Sequence, residues 1–433
     1  MKRMLILPLY FFISTASAAV FSPTEVLTLK QHFLANITDT GAVIASPSRY
    51  YPDYYYDWVR DAAITMGLIE TWYENGEQPE YKTKLYNYVH WVEQAQHQID
   101  TLPGQDILGE PKFYLDGYAF DGVWGRPQND GPALRALTLI RFANKLLQNK
   151  ENNYVHSHLY GGGLDPKSMG AIKMDLEYTA HHWQDKNYDL WEEVYGDHFF
   201  TAMVQRKALI EGAKLARELN DLPAATFYEA QASLIEQRLK QHIDNDNAII
   251  QASLAPHPGP QKTKELDSAV ILGVLLGYTD NTPFAPDNYY VKKTVTALKE
   301  QYRSLYPIND NHHDALLFGR YPGDTYDGYR NDGLGNPWFI LTATMAEYYY
   351  SLAAMLPVEK QHQAEIRTYI KQGDNFLKLI KHYAPNDLNM SEQINLNTGI
   401  QQGAVSLTWS YVAVLRAIDL REKLIARQAT LKA

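Results

Sequence analysis

Residues 222–243 read LPAATFYEAQASLIEQRLKQHI, and this stretch decides the fold class. Ala224, Tyr228, Ala232, Ile235 and Leu239 recur at spacings of three and four, which is one face of an α-helix. Leu222-Pro223 ahead of them is a start signal, because proline suits a helix's first turn. The same spacing continues on both sides. Upstream it marks 23–38, 57–74, 79–98, 130–149, 170–184 and 190–219; downstream it marks 266–277, 289–304, 336–356, 359–384 and 404–427. No run of alternating strands with turn spacing competes with it. Twelve helical segments in alternation predict an all-α fold, an (α/α)6 barrel of inner and outer helices with the site in the loops at one end. An α-solenoid is the alternative, but the chain has no fixed-period repeat.

Composition narrows the function. Of 433 residues 45% are hydrophobic, enough for a sizeable core. Forty basic residues against fifty acidic ones leave a net charge of −10, which argues against nucleic acid or an anionic membrane as partner. The chain has no cysteine, so disulfides, thiolate metal sites and a cysteine nucleophile are ruled out. It carries 32 Tyr and 8 Trp, rings that pack in cores and also stack on sugars. Lys2 and Arg3, the apolar run Met4 to Ile13 and Ala16-Ser17-Ala18 read as an export signal. The expectation is a signal at 1–18 and one catalytic domain at 19–433, secreted or periplasmic, off the membrane once the signal is removed, and monomeric. No Ser/Thr/Pro-rich linker or appended module is seen. Asn36-Ile37-Thr38 and Asn389-Met390-Ser391 match the glycosylation pattern weakly.

The chemistry concentrates in a few stretches. Residues 188–212, YDLWEEVYGDHFFTAMVQRKALIEG, set Trp191 beside Glu192 and Glu193. Trp191 offers a flat face to a sugar ring, and a neighbouring Glu can protonate a glycosidic oxygen. The same two carboxylates also fit the first turn of a helix, where the dipole favours them. They cannot be each other's partner in an inverting glycosidase. Adjacent Cα atoms lie about 3.8 Å apart, and the inverting pair holds its carboxyls roughly 6.5–9.5 Å apart. Glu392, in NMSEQINLNTG, is the best partner elsewhere. PDYYYDWVRDAAITMG (52–67) packs Tyr54, Trp58, Arg60 and Asp61 into one turn-to-helix junction. Arg60 and Asp61 there suit a sugar's hydroxyls as fork donor and acceptor, or a local salt bridge with Asp57 as helix cap. GRPQNDGPALRA (125–136) follows Trp124 and reads as a helix entry with Asp130 as cap. The long connections 99–129, 150–169, 305–335 and 385–403 suit the lining of a cleft.

Neither metal nor cofactor is called for. His181-His182 and His312-His313 are adjacent pairs without the spacing that shares a metal on a helix. Asp244-Asn245-Asp246-Asn247 lacks the glycine and late glutamate of a calcium loop. Gly161-Gly162-Gly163 is followed by Leu-Asp-Pro, and Pro166 stands before Lys167-Ser168 where a phosphate loop needs glycine, so it is no phosphate loop.

Five blocks in order carry a resemblance: PDYYYDWVRD, GEPKFYLDGYAFDGVWGRPQNDGPALRA, YDLWEEVYGDHFFTAMVQRKALIEG, GRYPGDTYDGYRNDGLGNPWF, and MSEQ with the later LTWSY. The chain resembles the glucoamylases, glycoside hydrolases of the family fifteen type, over nearly all of its mature length. The resemblance implies the six-fold double-helical barrel. It also implies release of β-D-glucose, with inversion, from non-reducing ends of α-1,4-linked glucans such as soluble starch, glycogen or maltooligosaccharides, and more slowly from α-1,6 links. It makes Glu192 the general acid, Glu392 the base that activates water, and Glu193 a substrate-binding carboxylate at the next subsite. Trp58, Arg60 and Asp61 match residues that hold the terminal glucose, with Tyr54 near the base. Trp124 matches an aromatic beside the acid, and Trp409 one near the base. Arg320, Asp324, Tyr326 and Trp338 match the subsite wall opposite. The family's larger members carry a starch-binding module that this chain lacks, and Asp327–Gly335 is a stretch that differs among members.

The mechanism so implied needs Glu192 protonated, its pKa raised by burial and nearby carboxylates, and Glu392 ionised. Rival readings are a dextran- or trehalose-cleaving hydrolase on the same barrel and a glycan-binding protein without catalysis.

Overall fold

The computed structural model describes residues 18–98, 106–161, 163, 165, 168–280 and 282–429. The export signal expected at 1–18 lies, up to residue 17, outside the described residues. Among the described residues twelve helices of at least nine residues follow one another: α1 Pro23–Ala35, α2 Val59–Glu74, α3 Glu80–Gln96, α4 Asp130–Gln148, α5 Ala171–His182 and α6 Phe199–Glu218. They continue as α7 Leu222–Lys240, α8 Ala269–Gly277, α9 Tyr289–Leu305, α10 Phe339–Met355, α11 Gln363–Tyr383 and α12 Thr408–Ala429. Each falls on a predicted segment. The one large boundary error is the segment 190–219: its first residues form a hairpin, and α6 begins only at Phe199. A single turn at Asn152–Tyr154, running into a wider one at Val155–Leu159, has no predicted counterpart.

The even-numbered helices form a closed inner ring, α2–α4–α6–α8–α10–α12 and back to α2, and each odd-numbered helix packs outside it. Sequence explains the sorting. α8 reads AVILGVLLG and is apolar all round, and α10 buries nearly every residue of FILTATMAEYYYSL; such helices must be surrounded by protein. α7 and α9 bury one stripe, Tyr228, Ala232, Ile235 and Leu239 in the first, and Val291, Val295 and Leu298 in the second. In α7 the stripe starts at Ala225; Ala224, expected on that face, is only half-buried.

The inner helices start at one end of the barrel, where the loops gather. None of α2, α4, α6, α8 and α10 has a side-chain bond from its N-cap residue. Loop groups take the free N–H groups instead: Val59 donates to Pro111 O (2.9 Å), Phe199 to Ala252 O (2.9 Å), Phe339 to Glu392 O (3.4 Å) and Thr408 to Ala45 O (2.9 Å). Three outer helices are capped locally, α1 by a Ser22–Glu25 capping box, α7 by Asp221 and α9 by Asn288. Four two-stranded ribbons stiffen the loops. Asp57–Trp58 pairs with Lys112–Phe113, Asn187–Tyr188 with Tyr195–Gly196, Ile243–Asp244 with Ile249–Ile250, and Gln393–Ile394 with Gln401–Gln402. Asn36 is buried, its amide bonded to Ser406 O (2.9 Å) and Thr408 Oγ1 (2.8 Å), so that glycosylation pattern is a structural asparagine.

Buried ion pairs tie the two layers. Arg135 on α4 grips Asp175 on α5 with two bonds, 2.8 and 2.6 Å, and Gln96 on α3 donates to the same carboxylate at 2.9 Å. Both charges are buried. Arg135→Met strands Asp175 without its cation, so we expect it to lower unfolding stability by about 3–5 kcal/mol. Urea denaturation of the folded variant measures this, and a loss below about 1 kcal/mol contradicts the pairing.

Candidate active site

A cavity of about 310 Å³ opens at the loop end of the inner ring, within the size range of small-ligand pockets. Its wall includes Tyr54, Trp58, Arg60, Asp61, Trp124, Trp191, Glu192, Glu193, Arg320, Tyr326, Trp338, Glu392 and Trp409. Of the residues singled out in the sequence only Asp324 is absent from this wall. It sits behind Arg320, which it holds with bonds of 2.8 and 2.6 Å. Connections 99–129, 305–335 and 385–403 all reach the cavity, whereas the described part of 150–169 does not.

Glu192 owes its place to a turn. In the hairpin closed by Asn187–Tyr188 and Tyr195–Gly196, the Asp189 N–H donates to Val194 O (2.9 Å) and Asp189 Oδ1 accepts from the N–H groups of Glu193 (2.8 Å) and Val194 (2.9 Å). Glu192 lies in this turn with φ of +65°, a left-handed conformation that non-glycine residues adopt only where the surroundings enforce it. Glu192 and Glu193 are therefore not first-turn helix residues. Trp191 Nε1 donates to both oxygens of Asp267 (3.0 and 3.1 Å), and Lys262 Nζ lies 2.6 Å from Asp267 and 3.4 Å from Asp189. Burial alone lowers the Lys262 ammonium, but Asp267 and Asp189 outweigh it and hold the cation well above its ordinary range.

Glu192 Oε1 accepts from Trp58 Nε1 (2.8 Å) and Gln128 Nε2 (2.9 Å), with Arg60 3.8 Å away. These contacts all fall on Oε1. Arg60 points its stronger bonds at Asp130 Oδ2 (2.7 Å) and Gln128 Oε1 (3.0 Å), and meets Asp61 only at 4.0 Å. Asp130 is thus an ion-pair partner inside α4's first turn; the N-cap is Asn129. Asp57 is no cap either, since its Oδ2 accepts from Val43 N–H at 2.7 Å. Burial pushes the Asp61 carboxyl up to about 7 against the pull of Arg60.

On the other side Glu193 accepts from Arg320 (2.8 Å) and Tyr321 Oη (2.6 Å). Arg320 lies over the rings of Trp191, Tyr321, Tyr326 and Trp338, each 5.1–5.7 Å from the guanidinium. Glu392 is 1% exposed, and Tyr326 Oη donates to its Oε2 at 3.3 Å. Gly403 packs against that oxygen, at a φ of +78° where a side chain would both strain and collide. Burial pushes the Glu392 carboxyl up to about 8, with the Tyr54 and Tyr326 hydroxyls and the Arg320 charge pulling the other way. Burial therefore opposes the ionised state expected of Glu392, and Arg320, whose charge favours that state, is shared with Asp324 and Glu193.

Sequence reading overlooked several residues. Gln128 links Glu192 to Arg60, and Asp189, Lys262 and Asp267 anchor the Trp191–Glu193 turn. Lys112 lies over the rings of Trp124 (3.7 Å), Tyr56 (4.0 Å), Phe120 (4.1 Å) and Trp58 (4.6 Å), and burial draws its ammonium down to about 8. A lysine in a Pro/Gly-rich loop such as HPGPQKTKELD has no local signature; its partners are set by tertiary contact.

Comparison with known proteins identifies the family of the chain. The model of the glycosyl hydrolases family 15 matches residues 26–419. A glucoamylase of Blastobotrys adeninivorans is 35% identical over 428 residues, covering 89% of this chain and 68% of the relative. A probable glucoamylase of Schizosaccharomyces pombe is 33% identical, covering 90% of this chain and 89% of that one. The solved structure of a glucoamylase from Saccharomycopsis fibuligera superposes with a TM-score of 0.81 at 32% identity, over 93% of this chain and 95% of that chain. The chain belongs to the family 15 glycosyl hydrolases, and the (α/α)6 barrel read from the sequence is its fold.

Two outcomes test the site's electrostatics. Lys262→Met leaves Asp189 and Asp267 without their cation, so the folded variant should lose roughly tenfold or more in kcat with a smaller change in KM; an unchanged kcat contradicts the anchoring. The second concerns Glu392. Its folded pKa of about 8 lies above an unfolded value of about 4.3, so folding takes up a proton between these values and stability falls as pH rises through that window. Glu392→Gln removes the titration. It should melt higher than the wild type at pH 7, with the gain shrinking toward pH 4; an equal gain at both pH values contradicts a raised pKa.

Proposed function

We propose that this protein is a glucan 1,4-α-glucosidase that releases glucose from the non-reducing ends of starch and related α-1,4-linked chains, with inversion, and attacks α-1,6 links more slowly. The observation that carries the reading is that Glu192 and Glu392, from stretches 200 residues apart, line one cavity with Trp58, Arg60 and Asp61 at its wall. In this reading Glu192, whose hydrogen bonds among the described residues fall on Oε1, protonates the glycosidic oxygen through Oε2 as its bond to the anomeric carbon breaks. Glu392 takes a proton from the water that attacks that carbon from the opposite face. Both carboxyls then exchange protons with solvent to restore the starting state. Arg60 and Asp61 supply orientation, Glu193 and Arg320 the leaving-side contacts. Ile340, Leu407 and Trp409, all buried, add apolar surface to the cavity's lining.

Maltose hydrolysis followed by NMR tests the reading. The wild type should release β-glucose first, and Glu192→Gln and Glu392→Gln should each lose roughly 10²-fold or more in kcat. Initial α-glucose would sink inversion, and a near-normal rate in either folded variant would remove that residue's role.

A further inference from the structure

Two loops meet twice at the mouth of the cavity. On the inside, Tyr54 and Tyr326 join hydroxyls at 2.9 Å, beside Glu392. Three residues further out along each loop, Tyr51 and Tyr329 meet again, with ring centroids 5.2 Å apart and planes within 9°. This outer pair stands in water: Tyr51 is 58% exposed, Tyr329 39%, and the adjoining Tyr50 89%. Hydrogen bonds hold the backbone on both sides of the pair. Asp327 Oδ1 accepts from the N–H groups of Tyr329 and Arg330, both at 2.9 Å, and Gly333 N–H donates to Thr325 O at 3.0 Å. On the other loop Ser48 Oγ holds Pro52 O at 2.6 Å, and Tyr51 keeps a φ of +49°, a conformation bulky residues adopt only when held there.

We propose that Tyr51 and Tyr329 form a glucan-binding platform on the rim, where the outer faces of the two rings stack on glucose units of the substrate chain that have not entered the cavity. The proposal rests on the α-glucan reading of the cavity. Aromatic faces left in water beside a polar site match the apolar C–H face of a pyranose ring. Continuity names the occupant: Asn331, two residues past Tyr329, lines the cavity itself, so a chain whose end is inside runs outward over this loop. Preordered rings also add affinity without an ordering cost on binding.

The test is a chain-length series, maltose to maltoheptaose, on Tyr51→Ala, Tyr329→Ala and the double variant. Maltose is too short to reach the rim and reports the integrity of the cavity. We expect kcat/KM for maltoheptaose to fall about five- to tenfold in the double variant, mainly through KM, with maltose changed less than about twofold. Tyr51→Phe with Tyr329→Phe should keep wild-type behaviour, because the ring faces remain. Loss that is equal for all chain lengths, or no loss for any, overturns the platform and leaves the rings as a loop clasp. Binding of β-cyclodextrin, which has no chain end to enter the cavity, separates the two readings. Wild-type binding that both alanine substitutions abolish supports the platform even if maltose is never cleaved, and absence of binding to the wild type counts against it.

Discussion

The unpaired N–H groups at the start of six inner helices are the constraint from which the active end follows. The inner helices begin at the same end of the ring, so their free donors and positive dipole ends gather there. Side chains at the N-caps do not satisfy them. For four of these helices the carbonyls of Ala45, Pro111, Ala252 and Glu392 do, and the loops that carry Ala45, Pro111 and Glu392 also shape the cavity wall. Closing the barrel and seating the loops are therefore one event. The dipoles then favour carboxylates at that mouth, where Asp61, Glu192, Glu193 and Glu392 converge.

Cations in and behind the wall make this convergence tolerable. Arg60 stands behind Glu192, held by Asp130 and Gln128; Arg320 stands behind Glu193, held by Asp324; Lys262 stands behind the turn that carries both glutamates. Each buried cation has a second carboxylate that does not face the cavity, so the wall is positioned by pairs that ligand does not disturb. Glu392 is the exception. It is held by hydroxyl groups and by Gly403, and burial is left to dominate its titration. The rim extends the same pattern into solvent, as Tyr54 and Tyr326 join inside and Tyr51 and Tyr329 outside.

The helices were legible because burial imposes period. α7 and α9 show one stripe, α8 and α10 are apolar all round, and those patterns report outer and inner positions directly. The hairpin 187–196 was not legible. LWEEVYGDHFF has helix-forming residues, and what turns it is Asp189 gathering two backbone N–H groups, a local bond that an aspartate in sequence only permits. Asp130 and Asp57 show the same limit, since each sits at a helix start where a cap is the natural reading, and each is claimed by a distant partner, Arg60 or Val43.

By itself the sequence determined the repertoire: twelve amphipathic or wholly apolar helices, no cysteine chemistry, and five blocks of aromatic and acidic residues whose order is that of the family 15 hydrolases. Only the tertiary structure decided which carboxylates share a cavity, which cation stands behind each, and that Asp324 serves Arg320 from outside the wall. The reason is range. Periodicity and turn chemistry act over a few residues and survive in the one-dimensional record. Hydrogen bonds such as Trp58 to Glu192 and Trp191 to Asp267 join residues 134 and 76 positions apart, and they exist only once the ring has closed.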